Sequence, residues 1–321
     1  MTTGHARRLP EALRDGLGPN WSYRQDGNQF HIRYRRVVGP FRPPRHVPGW
    51  PELLTAIESG FAARGVRRAP PLPLRWGTDT DFTISAVQAA DPYLKHRKPF
   101  VFREGFIPQP VVRFTGERST DGQLEDGFLT SFVNVSHVRR ITDLHEHVAI
   151  LDGWIGVLSD LGFHAGHLTM NAELAVWQRR QVSGITLHIA HAGMPLGDCV
   201  LLWNTTDPRH MVTDLGSGLE RIGWALTRRN WRHLVHGSLS EHEPNTLDAL
   251  RTATLALGSG IPLASRGCGG AIRRLLAAIP SDTTRFGVSR AIRTAHNYWS
   301  LVAPLPLPWY EVANMIEEST P

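Results

Sequence analysis

A chain of 321 residues, 41% hydrophobic and 20% charged, is long enough to bury one large core or two modest ones. Lysine and arginine exceed aspartate and glutamate by 35 to 29, and the formal net charge of +6 permits a polyanionic partner without requiring one. No apolar run approaches a membrane span and the polar first residues hold no secretory apolar core, so a soluble, cytoplasmic protein without a membrane partner is expected. Cys199 and Cys268 supply neither a disulfide framework nor a CxxC metal site.

Residues 1–50 stand apart in composition. Arg7, Arg8, Arg14, Arg24, Arg33, Arg35, Arg36, Arg42 and Arg45 face only Glu11, Asp15 and Asp26, and Pro40, Pro43, Pro44 and Pro48 punctuate the exit. The expectation is a basic N-terminal extension with a solvated surface and a weak strand over 30–38. Leu53, Leu54, Ile57 and Phe61 then have helical spacing, closed by Gly65. After Pro70, Pro71 and Pro73, strands are expected at 109–114 and 128–136, joined as an antiparallel hairpin by a long polar loop. Leu144, Val148, Leu151, Ile155 and Leu158 step by four and three behind an Asp143 cap, which predicts an amphipathic helix with Trp154 in the core. Further strands are expected at 184–191 and 198–204, then a glycine-flanked turn over 214–218 and a helix from Leu219 to about Arg229. Past Pro244, Leu247, Leu250, Thr254 and Leu257 share a helical face, and another helix is expected from Ala271 to Ile279. The fold expected is α+β: an antiparallel sheet flanked by helices over 51–235, followed by a small helical domain over 236–321.

The sharpest string is DLGSGLERIGWAL, residues 214–226. Gly216 and Gly218 allow a tight turn and close approach of a ligand to the backbone, and Arg221 could clamp a phosphate or stack on a ring. The string resembles motif 3 of class II aminoacyl-tRNA synthetases in its alanyl-tRNA synthetase form, through Asp214, Gly216, Gly218, Leu219, Glu220 and Arg221. Five segments in the same order carry the resemblance further: Phe82–Thr83 within 79–94; QPVVR (109–113) with the strand FLTSFVNVS; VWQ (176–178); SGITLHIAHAG (183–193); and VLLWN (200–204). The region 248–276 resembles the helices that follow the catalytic core.

The resemblance implies a class II synthetase-like, alanyl-type catalytic domain that activates alanine or another small amino acid with ATP and magnesium. Arg113 would bind the α-phosphate and Arg221 would lie across the adenine and hold the ATP tail, with Glu220, Gly216 and Gly218 beside it. Asp214 and Asn204 would grip the α-ammonium, and Trp177 would wall the side-chain pocket. Little proton transfer is needed for activation, because a carboxylate is already the nucleophile. Two departures matter. Where the family carries a metal- and ATP-associated glutamate, this chain has Leu187 or, with a one-residue slip, His188, neither a good hard-cation ligand. The asparagine-bearing loop of the family is also absent from 262–270. Together with the lack of length for editing sequence, this favours a specialised acceptor, a small molecule or carrier protein, over tRNA. A second copy of the chain is a further expected partner, and a non-catalytic paralogue that binds tRNA or amino acid is the alternative reading. Sixteen histidines show no zinc spacing: His145 and His147 should face different ways on a helix, and His188 and His191 opposite ways on a strand, so no metal site is expected.

Overall fold

A computed structural model describes residues 3–76, 80–99, 104–120, 122–280 and 287–319. Asp79 of the 79–94 segment, Asp121 of the polar loop and residues 281–286 lie outside these. The chain forms two compact units, one comprising Met1–Pro70, Ala86–Ile107 and Val135–Arg228, the other Pro71–Ser85, Pro108–Asn134 and Arg229–Pro321. Neither unit is continuous in sequence.

The class is α+β. Helices α1 (Thr3–Leu17), α2 (Trp50–Ala63), α3 (Asp91–His96), α4 (Leu144–Asp160) and α5 (Leu219–Thr227) accompany strands β1 (Trp21–Asp26), β2 (Gln29–Tyr34), β3 (Gly105–Val112), β4 (Ser131–Ile141), β5 (Leu168–Arg179), β6 (Val182–His191), β7 (Met194–Asn204) and β8 (Met211–Gly218). The eight strands make one sheet in the order β1-β2-β5-β6-β7-β8-β4-β3, antiparallel at each step from β1 to β8.

Residues 1–50 differ from the expected appended extension. They supply α1 and the hairpin β1–β2, which pairs onto β5 and so forms one edge of the sheet. Leu9, Ala12, Leu13 and Leu17 turn inward from α1, as do Phe30 and Ile32 from β2, while the arginines stay on the outer surface or half-buried. Binary pattern, and not the local excess of arginine, decides that this segment folds into the unit.

On one side of the sheet α1 packs on α4 and β5, α4 on β8 and α2, and α5 on β7 and β8. The Asp143 carboxylate caps α4 by accepting from the backbone N–H groups of His145 (2.8 Å) and Glu146 (3.0 Å), and Glu146 returns a bond to the N–H of Thr142 (2.8 Å). Trp154 is buried, as expected, and stacks with Phe61 from α2. Gly223 lets α5 approach the Trp50 ring, which a Cβ there would meet at 3.0 Å. The expected turn over 214–218 is the end of β8: Gly218 is extended (φ −75°, ψ 129°), and the helix begins at Leu219.

The second unit is helical around α7 (Pro244–Gly258), with α6 (Trp231–His236), α8 (Gly267–Ala277), α9 (Val288–Trp299) and α10 (Trp309–Glu317). Glu243 caps α7, and Leu247, Leu250, Thr254 and Leu257 are all buried. Arg251 is buried as well, its guanidinium 4.1 Å from the Tyr298 ring centre and 4.5 Å from that of Trp299.

His145 and His147 diverge on α4 as their spacing requires. His145 is exposed, whereas His147 is buried with Nδ1 2.9 Å from Thr213 Oγ1 on β8. Burial pushes the His147 imidazole down to about 4. Its folded-state value lies below the ordinary 6.5, so the unfolded chain takes up a proton first as pH falls. The stability tied to a neutral His147 is therefore intact above pH 6.5 and lost progressively between 6.5 and about 4. Urea unfolding at pH 5 and 7 should show the wild type losing stability in acid, and His147→Gln should flatten that slope by up to about 1.4 kcal/mol per pH unit.

Candidate functional site on the uncovered face of the sheet

Because a strand alternates its side chains, the side of the sheet away from α1, α4 and α5 carries every second residue, and the pairing register lines these up in rows. One row runs Arg24, His31, Asn171, His188, Asp198, Gly216 from β1 to β8. The next runs Asp26, Gln29, Glu173, Thr186, Val200, Asp214. A third holds Trp177, Gly184, Leu202 and Val212, and a fourth Arg179, Val182 and Asn204.

The rows differ in chemistry. Ala86, Ala90 and Leu94, from the turn of 3-10 helix at Ala86–Ala90 and from α3, cover Val182, Leu202 and Val212 in a buried apolar cluster; Val87, Tyr93, Trp177 and Val200 pack against its rim. The first two rows stay exposed or half-buried. A step of two residues along β6, β7 or β8, from Thr186, Val200 or Asp214, therefore passes from a polar surface to an apolar wall.

Trp177 reaches its place through an irregularity in β5. The register against β6 shifts between Glu173 and Trp177 by two residues. The indole then lies across Gly184, where a Cβ would stand 2.4 Å from the ring, and its Nε1 donates to Thr186 Oγ1 at 3.0 Å. Thr186 is paired with Val200, and Val200 with Asp214. The indole, a hydroxyl, an isopropyl group and a carboxylate thus lie on one patch of the face.

Asp214 and Gly216 sit on this face of β8, half-buried, and the strand passes directly into α5, where Glu220 and Arg221 occupy the first turn. Glu220 is buried, and its charge is favourable at a helix N-terminus; Arg221 is half-buried. Asn204 has a different employment from the one expected. Its Nδ2 donates to the carbonyl of Leu94 (2.6 Å), and its Oδ1 accepts from the N–H groups of Thr206 (3.0 Å) and Asp207 (2.9 Å) and from Thr206 Oγ1 (2.8 Å). With 2% of its surface exposed, the amide ties α3 and the following turn to β7 and does not present a carbonyl to a ligand's ammonium.

Arg113 belongs to the second unit. Its Nε donates to the Ile84 carbonyl at 2.6 Å and its guanidinium lies 5.1 Å from the Phe132 ring centre. Phe82 and Thr83 are buried in that unit, with Thr83 Oγ1 bound to the Pro73 carbonyl (2.6 Å), so the pair serves packing there.

Alternation separates Leu187 from His188. Leu187 points to the helix-covered side and is buried; His188 stands on the uncovered face. His191 turns the opposite way from His188, as its spacing requires, and is enclosed by Phe41 and Phe163. Thr186, Val200 and Asp198 were not singled out by the sequence, since only register brings them beside Asp214. Burial, followed by the carboxylates of Asp214 and Asp198, pushes the Cys199 thiol up, and burial also raises that of Cys268; neither is a thiolate nucleophile at neutral pH. Among the described residues, no group of three or more His, Cys, Asp or Glu is placed to hold a metal ion.

No protein-family model matches the chain, and no curated protein matches it. The tightest constraint in the site is the indole on Gly184. Gly184→Ala should displace the ring and lower stability by roughly 1–3 kcal/mol, with a change in tryptophan fluorescence that disappears in a Trp177→Phe background.

Proposed function

We propose that the chain activates a small amino acid, alanine foremost, by attack of its carboxylate on the α-phosphate of ATP, and passes the acyl group from the resulting adenylate to a specialised, non-tRNA acceptor. The observation that carries the reading is the placement of Asp214. It stands half-buried on the face away from α1, α4 and α5, opposite Val200, beside the Trp177–Thr186 contact, at the head of a strand-to-helix junction bearing Glu220 and Arg221.

That arrangement suits an amphiphile the size of an amino acid. A carboxylate at Asp214 attracts the α-ammonium, while Val200, Leu202 and the indole offer an apolar wall two residues away on the same face. Residues of 86–96 pack over Leu202, and the indole lies across Gly184, so the wall beside Asp214 is apolar and closed at that end. An oxygen–phosphorus bond forms, the bond to pyrophosphate breaks, and no proton has to move, so positioning is the main demand on the protein. Arg221, at the first turn of α5, offers a guanidinium for the nucleotide. Asn204 drops out of the ammonium contacts, leaving that task to Asp214. Among the described residues no group of three or more His, Cys, Asp or Glu is placed to hold a metal ion. Magnesium would arrive on the phosphates of ATP.

Amino-acid-dependent ATP–pyrophosphate exchange over the twenty standard amino acids, with and without total tRNA, tests the reading. Exchange with alanine or another small amino acid, indifferent to tRNA, is expected. Asp214→Asn should raise the KM for the amino acid about 10²-fold, the worth of a hydrogen bond to a charged group, with the circular dichroism spectrum retained. Absence of exchange in the wild type would return the chain to the reading of a binding paralogue.

A further inference from the structure

The row next to Asp214 contains a side-chain pair that amino-acid activation does not use. His188 on β6 and Asp198 on β7 are direct cross-strand partners, and Nδ1 of the imidazole lies 2.6 Å from Oδ1 of the carboxylate. Both are accessible, with 58% and 48% of their side-chain surfaces exposed. An ionised carboxylate can only accept a hydrogen bond, so Nδ1 carries the proton and Nε2 keeps its lone pair. Nε2 has no hydrogen-bond partner among the described residues. The ring is thus fixed in tautomer and orientation by one nitrogen and offered to solvent by the other, the arrangement in which an imidazole serves as a general base.

Its position adds a reason. His188 is two residues from Thr186 on the same face of β6, and Asp198 is two residues from Val200 on β7, so the pair lies one row, about 6.6 Å, from the row that ends in Asp214. Beyond Asp198 the row ends at Gly216, which places no side chain between the pair and the strand that carries Asp214. Among the described residues of these two rows, the other charged or titratable groups are His31, whose Nδ1 is bound to Asn171 Oδ1 at 2.6 Å across β5, with Arg24 beyond it, and Glu173, Asp26 and Asp214 in the adjacent row. As a surface ion pair alone, the contact would contribute little to stability.

We propose that His188, held by Asp198, is the general base of the acyl-transfer half-reaction, for an acceptor whose nucleophile is an amine or hydroxyl of a small molecule. This rests on the adenylate reading above. Activation needs no base, but transfer does. As the acceptor nitrogen or oxygen bonds to the acyl carbon, the bond from that carbon to the phosphate oxygen breaks and AMP leaves with the electron pair. The proton of the nucleophile passes to His188 Nε2, and the Asp198 carboxylate stabilises the imidazolium. Asp198 is a positioning residue.

The test measures two rates on the full chain with the amino acid that supports exchange. One is ATP–pyrophosphate exchange, and the other is consumption of the preformed adenylate by hydroxylamine as a small amine probe, followed as AMP release at a single pH where the probe is a free base. For His188→Gln the ratio of transfer to exchange should fall about 10²-fold, within the range of general-base contributions. Asp198→Asn should lower transfer less than His188→Gln with exchange retained, and Asp198→Glu should restore part of the loss, a rescue that a purely structural role would not produce. An unchanged ratio in His188→Gln would overturn the assignment, as would equal loss of both rates, which would place His188 in ATP handling. A wild type without exchange removes the adenylate itself and the base assignment with it; exchange intact in every variant, with transfer unaffected, removes the base assignment alone.

Discussion

The in-register pairing of β5, β6, β7 and β8 is the constraint on which the rest depends. Once Glu173, Thr186, Val200 and Asp214 are opposite one another, every other side chain on these strands is assigned to a face and a row. Helices α1, α4 and α5 cover one face because that face carries the aliphatic residues, Leu187, Leu201 and Leu215 among them. The other face is left for chemistry. A slip of one residue in any pair would bury Asp214 or His188 under helices, so the hydrophobic effect that stabilises the sheet also holds the site in place.

The second consequence is a gradient on the uncovered face. Over two rows its character goes from ionisable side chains to an indole and aliphatic groups, and the segment 86–96 covers only the apolar end. Asn204 anchors that cover: its amide joins the Leu94 carbonyl to the turn after β7. A residue with the chemistry to meet a ligand is thus used to fix the boundary of the space in which a ligand would lie.

Much of the fold was legible locally. The 53–61 spacing, the Asp143 cap and the alternation over 184–191 and 198–204 depend on near neighbours, and helices and strands stand there. Three features were not legible. The arginines of 1–50 mark a basic segment but give no sign of the inward stripe of Leu9, Leu13, Phe30 and Ile32 that builds it into the sheet. The glycines of β8 suggested a turn, yet both are extended, Gly216 facing Asp198 across the ladder. β5 was hidden by residues such as Met170, Ala172 and Glu173, which have weak strand preference and are held by pairing on both sides. For the site, the string around Asp214 and Arg221 was visible as residue types in order. Thr186, Val200 and the His188–Asp198 pair were not, because cross-strand register is set by the whole sheet and leaves no local signal.

The irregularity in β5 has a bearing on how such a site could diversify. With regular pairing Trp177 would face Val182; the two extra residues draw it back to Gly184, about 6.6 Å nearer the Thr186 row. The indole is therefore placed by chain length as much as by side-chain identity. An insertion or deletion of an even number of residues in this stretch would slide the indole along the sheet like a stop on a rail while keeping it on the same face. An odd change would turn it to the other side. The position of the indole along this face is consequently open to revision by small length changes in one strand, with Asp214 and its neighbours left untouched.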